Sequence, residues 1–345
     1  MYDVFSEFIR DKKSISIIQA ENPDGDSLGS ALALDSLLTD IEVSLYCPVN
    51  IPKYLHYFKD WSRIDNNFDF SADGYIIVDT AAAVLLSKLL DDPAIKNRLE
   101  TSPVLVIDHH ETADDLPFPH ASIIKPSPAC CSVIYDIVKG QPISKTAAEY
   151  LAAGILSDTL GLTSVTVTAD TFRTMADLAD LGVSASELED RRREFMKKSP
   201  RILDYKADLI KRIEYHLDGH LATVHIPWED IHEYSDEYNP AVLIIEELRL
   251  VEGVDVSVAV KTYPDGKVTG KIRSTTPIAE QLAGYFGGGG HPFAAGFRTY
   301  EASYEDVRRE LVTVTHRLLE EYEANSTNDP FSDTTNSSPK EADHA

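Results

Sequence analysis

The chain is short of cations and of cysteine. Its 345 residues include 32 Lys and Arg against 57 Asp and Glu, a net charge of −25 with neutral histidines. A deficit of that size excludes nucleic-acid binding through a general basic surface. It matches the lysine-poor surfaces of proteins that work in concentrated salt, and a halophilic source is the expectation. At about 1 M salt the Debye length is about 3 Å, so a polyanionic surface is tolerable there. An anionic substrate remains compatible wherever cations are concentrated locally.

The three cysteines, Cys47, Cys130 and Cys131, make neither a disulfide framework nor a zinc spacing, which suits a reducing cytoplasm. No apolar run reaches the length of about 18 needed for a membrane span, so no membrane partner is expected. The opening "MYDVFSEFIRDKK" is acidic and amphipathic, unlike a signal peptide. What the chain does have is an ordinary hydrophobic fraction of 43%, sufficient for a sizeable core. Its length suits two domains of roughly 150 residues each.

The first 170 residues or so alternate strands and helices. "SISIIQA" (Ser14 to Ala20) reads as a buried strand, and "LGSALALDSLL" follows at helical spacing. "VSLYCP", "YIIVDT" (Tyr75 to Thr80) and "PVLVIDHH" (Pro103 to His110) are further strands, with helical patterns at "AAAVLLSKLL" and "CSVIYDIV". Short β-branched runs separated by helices indicate an α/β fold with a parallel sheet covered on both faces. Ligands of such sheets gather beyond the carboxyl ends of the strands. From Ala169 to about Pro200 the sequence is helical and increasingly charged, as a connector would be. Beyond Arg201 come "LATVHIP" and a hairpin turning at Pro264-Asp265-Gly266. Helices at "PIAEQLAGYF" and "YEDVRRELVTVTHRLLEEYEA" follow, and the polar stretch after them is expected to be a disordered tail.

Several carboxylates fall where the chain leaves a buried element. Asp24 and Asp26 follow the first strand, Asp79 ends the third, Asp108, His109 and His110 end the fourth, and Asp158 follows an apolar helix. Each has an ordinary explanation alone: "PDGD" is a common turn, Asp79 or Asp158 a helix cap, "DHH" a surface loop. Together they would crowd one sheet edge with charge, which is strongly repulsive unless a metal neutralises it. Carboxylates with imidazole suit manganese, magnesium or zinc. Two hard cations bridged by an aspartate would polarise a phosphate and activate a water in hydrolysis.

"NPDGDSLGS", Asp79, "VIDHHE" and "GILSDTLG" together resemble the four ordered motifs of the DHH phosphoesterase superfamily. "GKIRST" and "FGGGGHPFAAGF" resemble its DHH-associated C-terminal domain, so the likeness spans about Ile15 to Phe297. Length and wording are most similar to the nano-RNase/pAp phosphatase branch. The resemblance implies a DHH metal-binding catalytic domain over residues 1–185, with a doubly wound, mainly parallel sheet. After it come a helical connector at 186–204, a smaller mixed-sheet α/β substrate-binding domain at 205–323, and a tail at 324–345.

It also implies one or two Mn2+ ions, or Mg2+ in their place. One site would be built from Asp26, Asp79, His109 and Asp158, and a second would use Asp24 and share Asp79. His110 would face the scissile phosphate, with Asp108 orienting the histidines. Arg273, Ser274, Gly287, Gly288, Gly289, Gly290 and His291 would hold substrate, the glycines letting backbone amides approach a phosphate. Lys261, Lys267 and Lys271 share the Arg273 hairpin, as a solvated strand face or as a local cationic surface. The family's motif carries a metal-ligating histidine where this chain has Ala20, and Glu21, one residue on, points the other way along a strand.

The implied activity is exonuclease or oligoribonuclease hydrolysis of short or single-stranded nucleic acid. The alternatives are a pAp phosphatase, a cyclic-dinucleotide phosphodiesterase, or a non-catalytic RecJ-like protein with replication or repair partners. A homodimer is compatible with each.

Overall fold

The computed structural model describes residues 1–110, 114–300 and 303–327. They fall into two units, Met1–Lys197 and a second from Lys198 onward, each with its own sheet. The first unit begins with α1 (Tyr2–Ile9), β1 (Ser14–Ile18), α2 (Gly25–Leu37), β2 (Glu42–Tyr46), β3 (Ile64–Asp65) and β4 (Gly74–Val78). It continues with α3 (Ser87–Leu90), α4 (Pro93–Glu100), β5 (Val104–Asp108), β6 (Ala121–Ile124), α5 (Cys130–Val138), α6 (Lys145–Asp158), α7 (Ala169–Asp180) and α8 (Ala185–Phe195).

Six parallel strands lie in the order β3-β2-β1-β4-β5-β6. The chain runs outward from β1 and then returns to β4 on the other side, so the order reverses between these two strands. That reversal opens a crevice at the carboxyl ends of β1 and β4, where open α/β sheets hold ligands. Both faces of the sheet are covered. Ile15 and Ile17 of β1 join a core with residues of α2, α5 and α6, while Ile18 joins Tyr75, Leu89 and Leu99 on the opposite face. This is the doubly wound α/β domain expected from the strand and helix alternation.

Two strands were not legible: β3 has two residues and β6 four, too few to show a period. "AAAVLLSKLL" is a 3-10 turn at Ala83–Leu86 followed by the one-turn α3. The helix after β1 begins at Gly25, so Asp26 lies inside its first turn.

Helix α2 is buried along its whole first ten residues, Gly25 to Leu34. A helix so enclosed can approach its neighbours only through small residues. A Cβ on Gly29 would stand 2.8 Å from the Tyr150 carbonyl of α6, and one on Gly154 of α6 would collide with Cys131 Sγ of α5.

The second unit comprises α9 (Pro200–Lys211), β7 (Glu214–His216), β8 (Leu221–Ile226), α10 (Trp228–Tyr234), α11 (Pro240–Arg249) and β9 (Val256–Thr262). Then come β10 (Lys267–Ser274), α12 (Ala279–Tyr285), β11 (Gly289–His291), β12 (Ala294–Tyr300) and α13 (Tyr304–Thr327). Its sheet runs β11-β12-β10-β9-β8-β7 and is mixed: β8 and β9 are parallel, the other pairs antiparallel. Gly266, at φ 76°, closes the β9–β10 hairpin. Helix α13 runs on to Thr327, into the stretch read from residue 324 as tail. Residues 328–345, the rest of that stretch, lie outside the described residues.

Because Gly154 has no room for a side chain, Gly154→Ala should lower the unfolding free energy by about 1–3 kcal/mol, the usual cost of overpacking. A urea titration measures this, and an unchanged midpoint would mean that α5 and α6 pack more loosely than described.

Candidate metal centre

Asp26 is 1% exposed, in the first turn of α2. Helix α5 begins at Cys130 after Ala129, whose methyl group cannot cap it, and Asp26 supplies the missing acceptors from more than a hundred residues away. Its Oδ2 accepts from the Cys130 amide (2.5 Å) and its Oδ1 from the Cys131 amide (2.9 Å). A helix N-terminus carries partial positive charge and unpaired amides, so this is where a buried carboxylate is tolerated. Burial nonetheless raises the pKa of Asp26, and the nearby Asp24 charge adds to it, against lowering by His109 and the Cys131 bonds.

Asp79 follows β4 by one residue, not as its last member, and takes a left-handed backbone (φ 66°). An aspartate held at such an angle is strained by about 1–3 kcal/mol, a feature that concentrates at functional sites. Its amide donates to the Ile107 carbonyl of β5 (2.9 Å), which fixes the turn. Asp108 closes β5 and is fully buried. Its Oδ1 accepts from the amides of His109 (2.8 Å) and His110 (3.3 Å) and from His110 Nδ1 (2.8 Å). Burial would raise the Asp108 pKa, but the His110 bond and charge and the two amides outweigh it and bring it below the ordinary value.

These strand ends converge on one imidazole nitrogen. His109 Nδ1 donates to the Ser127 carbonyl (2.8 Å), which leaves Nε2 facing inward. Around Nε2 lie Asp79 Oδ1 at 3.3 Å, Asp26 Oδ2 at 3.8 Å and Asp158 Oδ2 at 3.8 Å. Burial alone would lower the His109 pKa, but the Asp79 and Asp26 carboxylates overcome it and push it up to about 10. Asp158, the last residue of α6, is raised to about 6 by burial and then by Asp26. Asp79 is raised well above the usual carboxylate range, by burial first and then by the Asp26 charge.

Two sets of side chains each place one donor atom per residue within 4.8 Å of one another: Asp26, His109 and Asp158, and Asp79, Asp108, His109 and His110. Whether they suit a cation can be tested on unmet needs. Asp79 Oδ1 and Asp108 Oδ2 are buried with no hydrogen-bond partner, the 3.3 Å approach of His109 being outside hydrogen-bond geometry. Buried carboxylate oxygens without donors are costly, and a divalent ion would satisfy them while replacing the imidazolium proton. The residues fit a metal, and an oxygen-rich set with one imidazole is characteristic of hard divalent ions.

The other expected residues are placed as follows. Asp24 is exposed and caps α2, its Oδ1 accepting from the Asp26 (3.0 Å) and Ser27 (2.9 Å) amides. It lies outside both ligand sets, although its charge acts on Asp26, Asp79 and Asp158. Glu21 does not stand in for the missing histidine: its carboxylate accepts from Ser87 Oγ (3.0 Å) and the Lys88 amide (2.9 Å). Ala20 is buried and brings no ligand atom in its side chain. Among residues with no sequence signal are Ser127, Cys130 and Cys131, because they act through their backbone.

In the second unit, Arg273 Nη1 donates to the Ile272 carbonyl (2.9 Å) and Nε stands 3.5 Å from Glu246. Ser274 is buried, its hydroxyl donating to the Asp255 carbonyl (3.0 Å) and lying 3.0 Å from Thr276 Oγ1. The amides of Gly287 and Gly288 donate to the Gly284 (3.0 Å) and Ala283 (2.9 Å) carbonyls, capping α12. Gly288 and Gly290 have no room for a Cβ against β12. Their lack of a side chain therefore has a packing cause beside the phosphate contact expected of them. Gly289 and Gly290 pair with Gly296 and Ala295 of β12. The backbone of His291 pairs with Ala294, and its side chain lies outside what the structure describes.

Fold and site together define a doubly wound α/β protein with an aspartate–histidine cluster, able to hold a metal ion, at its topological switch point. Residues 14–155 match the DHH family, N-terminal domain, so over that segment the chain is similar to this family. Curated relatives include the Thermus thermophilus "Bifunctional oligoribonuclease and PAP phosphatase NrnA", 29% identical over 84% of this chain and 88% of the relative. The Bacillus subtilis protein of the same name is 23% identical over 87% of this chain and 93% of its own. Among solved structures, an exopolyphosphatase-related protein from Bacteroides fragilis superposes with a TM-score of 0.79 at 20% identity. It covers 94% of this chain and 96% of its own, a likeness of fold.

Metal binding must displace the His109 proton. With its pKa pushed up to about 10, His109 is charged at pH 7, so binding should release at least one proton per ion, Asp79 adding to it wherever that carboxyl is protonated. Apparent Mn2+ affinity should therefore rise by about tenfold or more per pH unit between pH 6.5 and 8.5 and level off above about 10. Calorimetry in buffers of differing ionisation enthalpy reads the release. Affinity independent of pH over that range would remove His109 from the ligand set.

Proposed function

We propose that this chain is a manganese-dependent phosphoesterase that hydrolyses short oligoribonucleotides and nucleotides such as pAp in the cytoplasm. The observation that carries the reading is the convergence of Asp26, Asp79 and Asp158 on His109 Nε2, with the buried Asp79 Oδ1 left for a cation. The activities named for the Thermus and Bacillus relatives support the substrate class.

Asp26, Asp79, His109 and Asp158 would hold one ion, and Asp24 with Asp79 a second. Bound there, divalent metal supplies Lewis-acid polarisation of the phosphate and a nucleophilic water at neutral pH. The chain's own contribution is to hold and orient. Asp26 is fixed by two amides, His109 by the Ser127 carbonyl, and Asp79 by its strained, bonded turn. His110 is tied through Nδ1 to Asp108, while its side chain is 38% exposed. Its Nε2 is thus the nitrogen available to bond a phosphate oxygen or pass a proton to the leaving group. Arg273, backed by Glu246, would contribute a cation for a substrate phosphate in the second unit.

A second reading, a non-catalytic metal-binding member that serves replication or repair assemblies, is favoured by one observation. The histidine position is Ala20, and Glu21 is turned to Ser87 and Lys88. The cluster of Asp26, Asp79 and Asp158 around His109 assembles without that position, which supports the enzymatic reading.

The test is hydrolysis with Mn2+ in high salt of two- to five-nucleotide RNAs, longer single-stranded DNA, pAp and cyclic di-AMP. Wild type should cleave the short RNAs and pAp, and Asp79→Ala should lose roughly a thousandfold or more, the several kcal/mol that metal activation supplies. Turnover of every substrate at wild-type rate in Asp79→Ala would overturn the assignment.

A further inference from the structure

A cavity of about 680 Å³ lies within the first unit, between α6, α8 and the turn around residues 53–57. None of its lining residues belongs to the ligand sets described above, yet its rim touches the metal turn twice. The Tyr54 hydroxyl donates to the Pro23 carbonyl (3.4 Å), just before Asp24. Ser157, which precedes Asp158, packs so closely on Gly25 that no Cβ would fit between them.

The wall of the cavity is apolar and partly aromatic, with Tyr54, Tyr57, Leu160 and Met196 among its residues. Leu160 is 72% exposed and sits at φ 51°, followed by Gly161 at 74° and Leu162 at 69°. A leucine adopts the left-handed region only where its surroundings impose it. Here Thr159 imposes it: its buried hydroxyl donates to the Ile155 carbonyl (2.5 Å) and accepts from the Leu162 amide (3.0 Å). The result is an apolar side chain held out at the cavity, two residues after Asp158.

The polar lip is cationic on a chain of net charge −25. Arg192 and Arg193 share one counter-ion, Glu189. Arg192 forks onto it through Nε (2.7 Å) and Nη2 (2.9 Å), whereas Arg193 uses only Nε (2.7 Å). The terminal nitrogens of Arg193 have no partner among the described residues.

An apolar wall with an exposed tyrosine, a surplus guanidinium, and a volume within the roughly 300–1,000 Å³ of ligand sites meet here beside a phosphate-handling centre. We propose that this cavity is a nucleoside-phosphate subsite. The base lies against Tyr54, Leu160 and Met196, and Arg193 takes a phosphate of the same nucleotide. This rests on the phosphoesterase reading and adds to it where the base goes. Base–aromatic contact tolerates any base, so the subsite would select nucleotides as a class and not a particular sequence.

The experiment compares AMP with ribose 5-phosphate, its baseless counterpart, by calorimetric binding to the full chain in the presence of a chelator. Wild type should bind AMP about tenfold or more tighter than ribose 5-phosphate, the scale of one base–aromatic stack. Tyr54→Ala should remove most of that preference, and Met196→Trp, which fills the cavity, should do the same by a different route. Arg193→Ala should weaken both ligands together. Equal wild-type affinity for the two ligands would overturn the subsite, as would an undiminished preference in both cavity variants. Hydrolysis of a 5′-phosphorylated dinucleotide with Mn2+ is read separately. Turnover without base preference sinks the subsite alone, and base preference without turnover sinks the phosphoesterase reading alone.

Discussion

The first unit is organised around the carboxylate of Asp26. It caps a helix 104 residues away in sequence, and it stands 3.8 Å from the imidazole nitrogen that three strand ends converge on. Without the two amides of α5 it would be a buried charge with no donors, a cost that a protein avoids by protonating or rearranging the group. With them, α2 and α5 are locked together, and the close approach at Gly29 and Gly154 brings α6 and its terminal Asp158 to the same point. Core packing and the candidate metal site are in this sense one construction. The small residues that allow the helices to meet also decide where the carboxylates stand.

The sheet supplies the rest. With β1 and β4 adjacent and the strand order reversing between them, the residues after each strand face a common crevice. Asp24 and Asp26 enter it from β1, Asp79 from β4 and His109 from β5. Like charges gathered this way repel, and the structure carries the mark of it in His109, pushed up to about 10, and in carboxylates raised by burial and by one another.

Much of this was legible in the sequence because the ligands follow apolar runs whose period is strong. "SISII", "YIIV" and "VLVID" could hardly be anything but buried strands, and the charged residue after each was thereby placed at one edge. What could not be read was anything carried by backbone. The amides of Cys130 and Cys131 and the carbonyl of Ser127 are present at every residue of every chain, so their role appears only once the fold brings them in. Strands of two and four residues left no period. The glycines of "FGGGG" were legible as special, but the sequence did not reveal that Gly288 and Gly290 lie against β12, or that the amides of Gly287 and Gly288 finish α12. Asp24 reads as a ligand or as part of a turn in the sequence, whereas the structure shows it capping α2.

The proposed chemistry stands or falls on whether these side chains hold a divalent cation. The most direct measurement is a crystal structure of the protein grown with Mn2+, with anomalous difference density collected at the manganese edge. The predicted result is a peak at about 2.0–2.3 Å from His109 Nε2, ligated also by Asp26, Asp79 and Asp158. Saturating Mn2+ with no peak there, or a peak held only by surface carboxylates elsewhere, would contradict it.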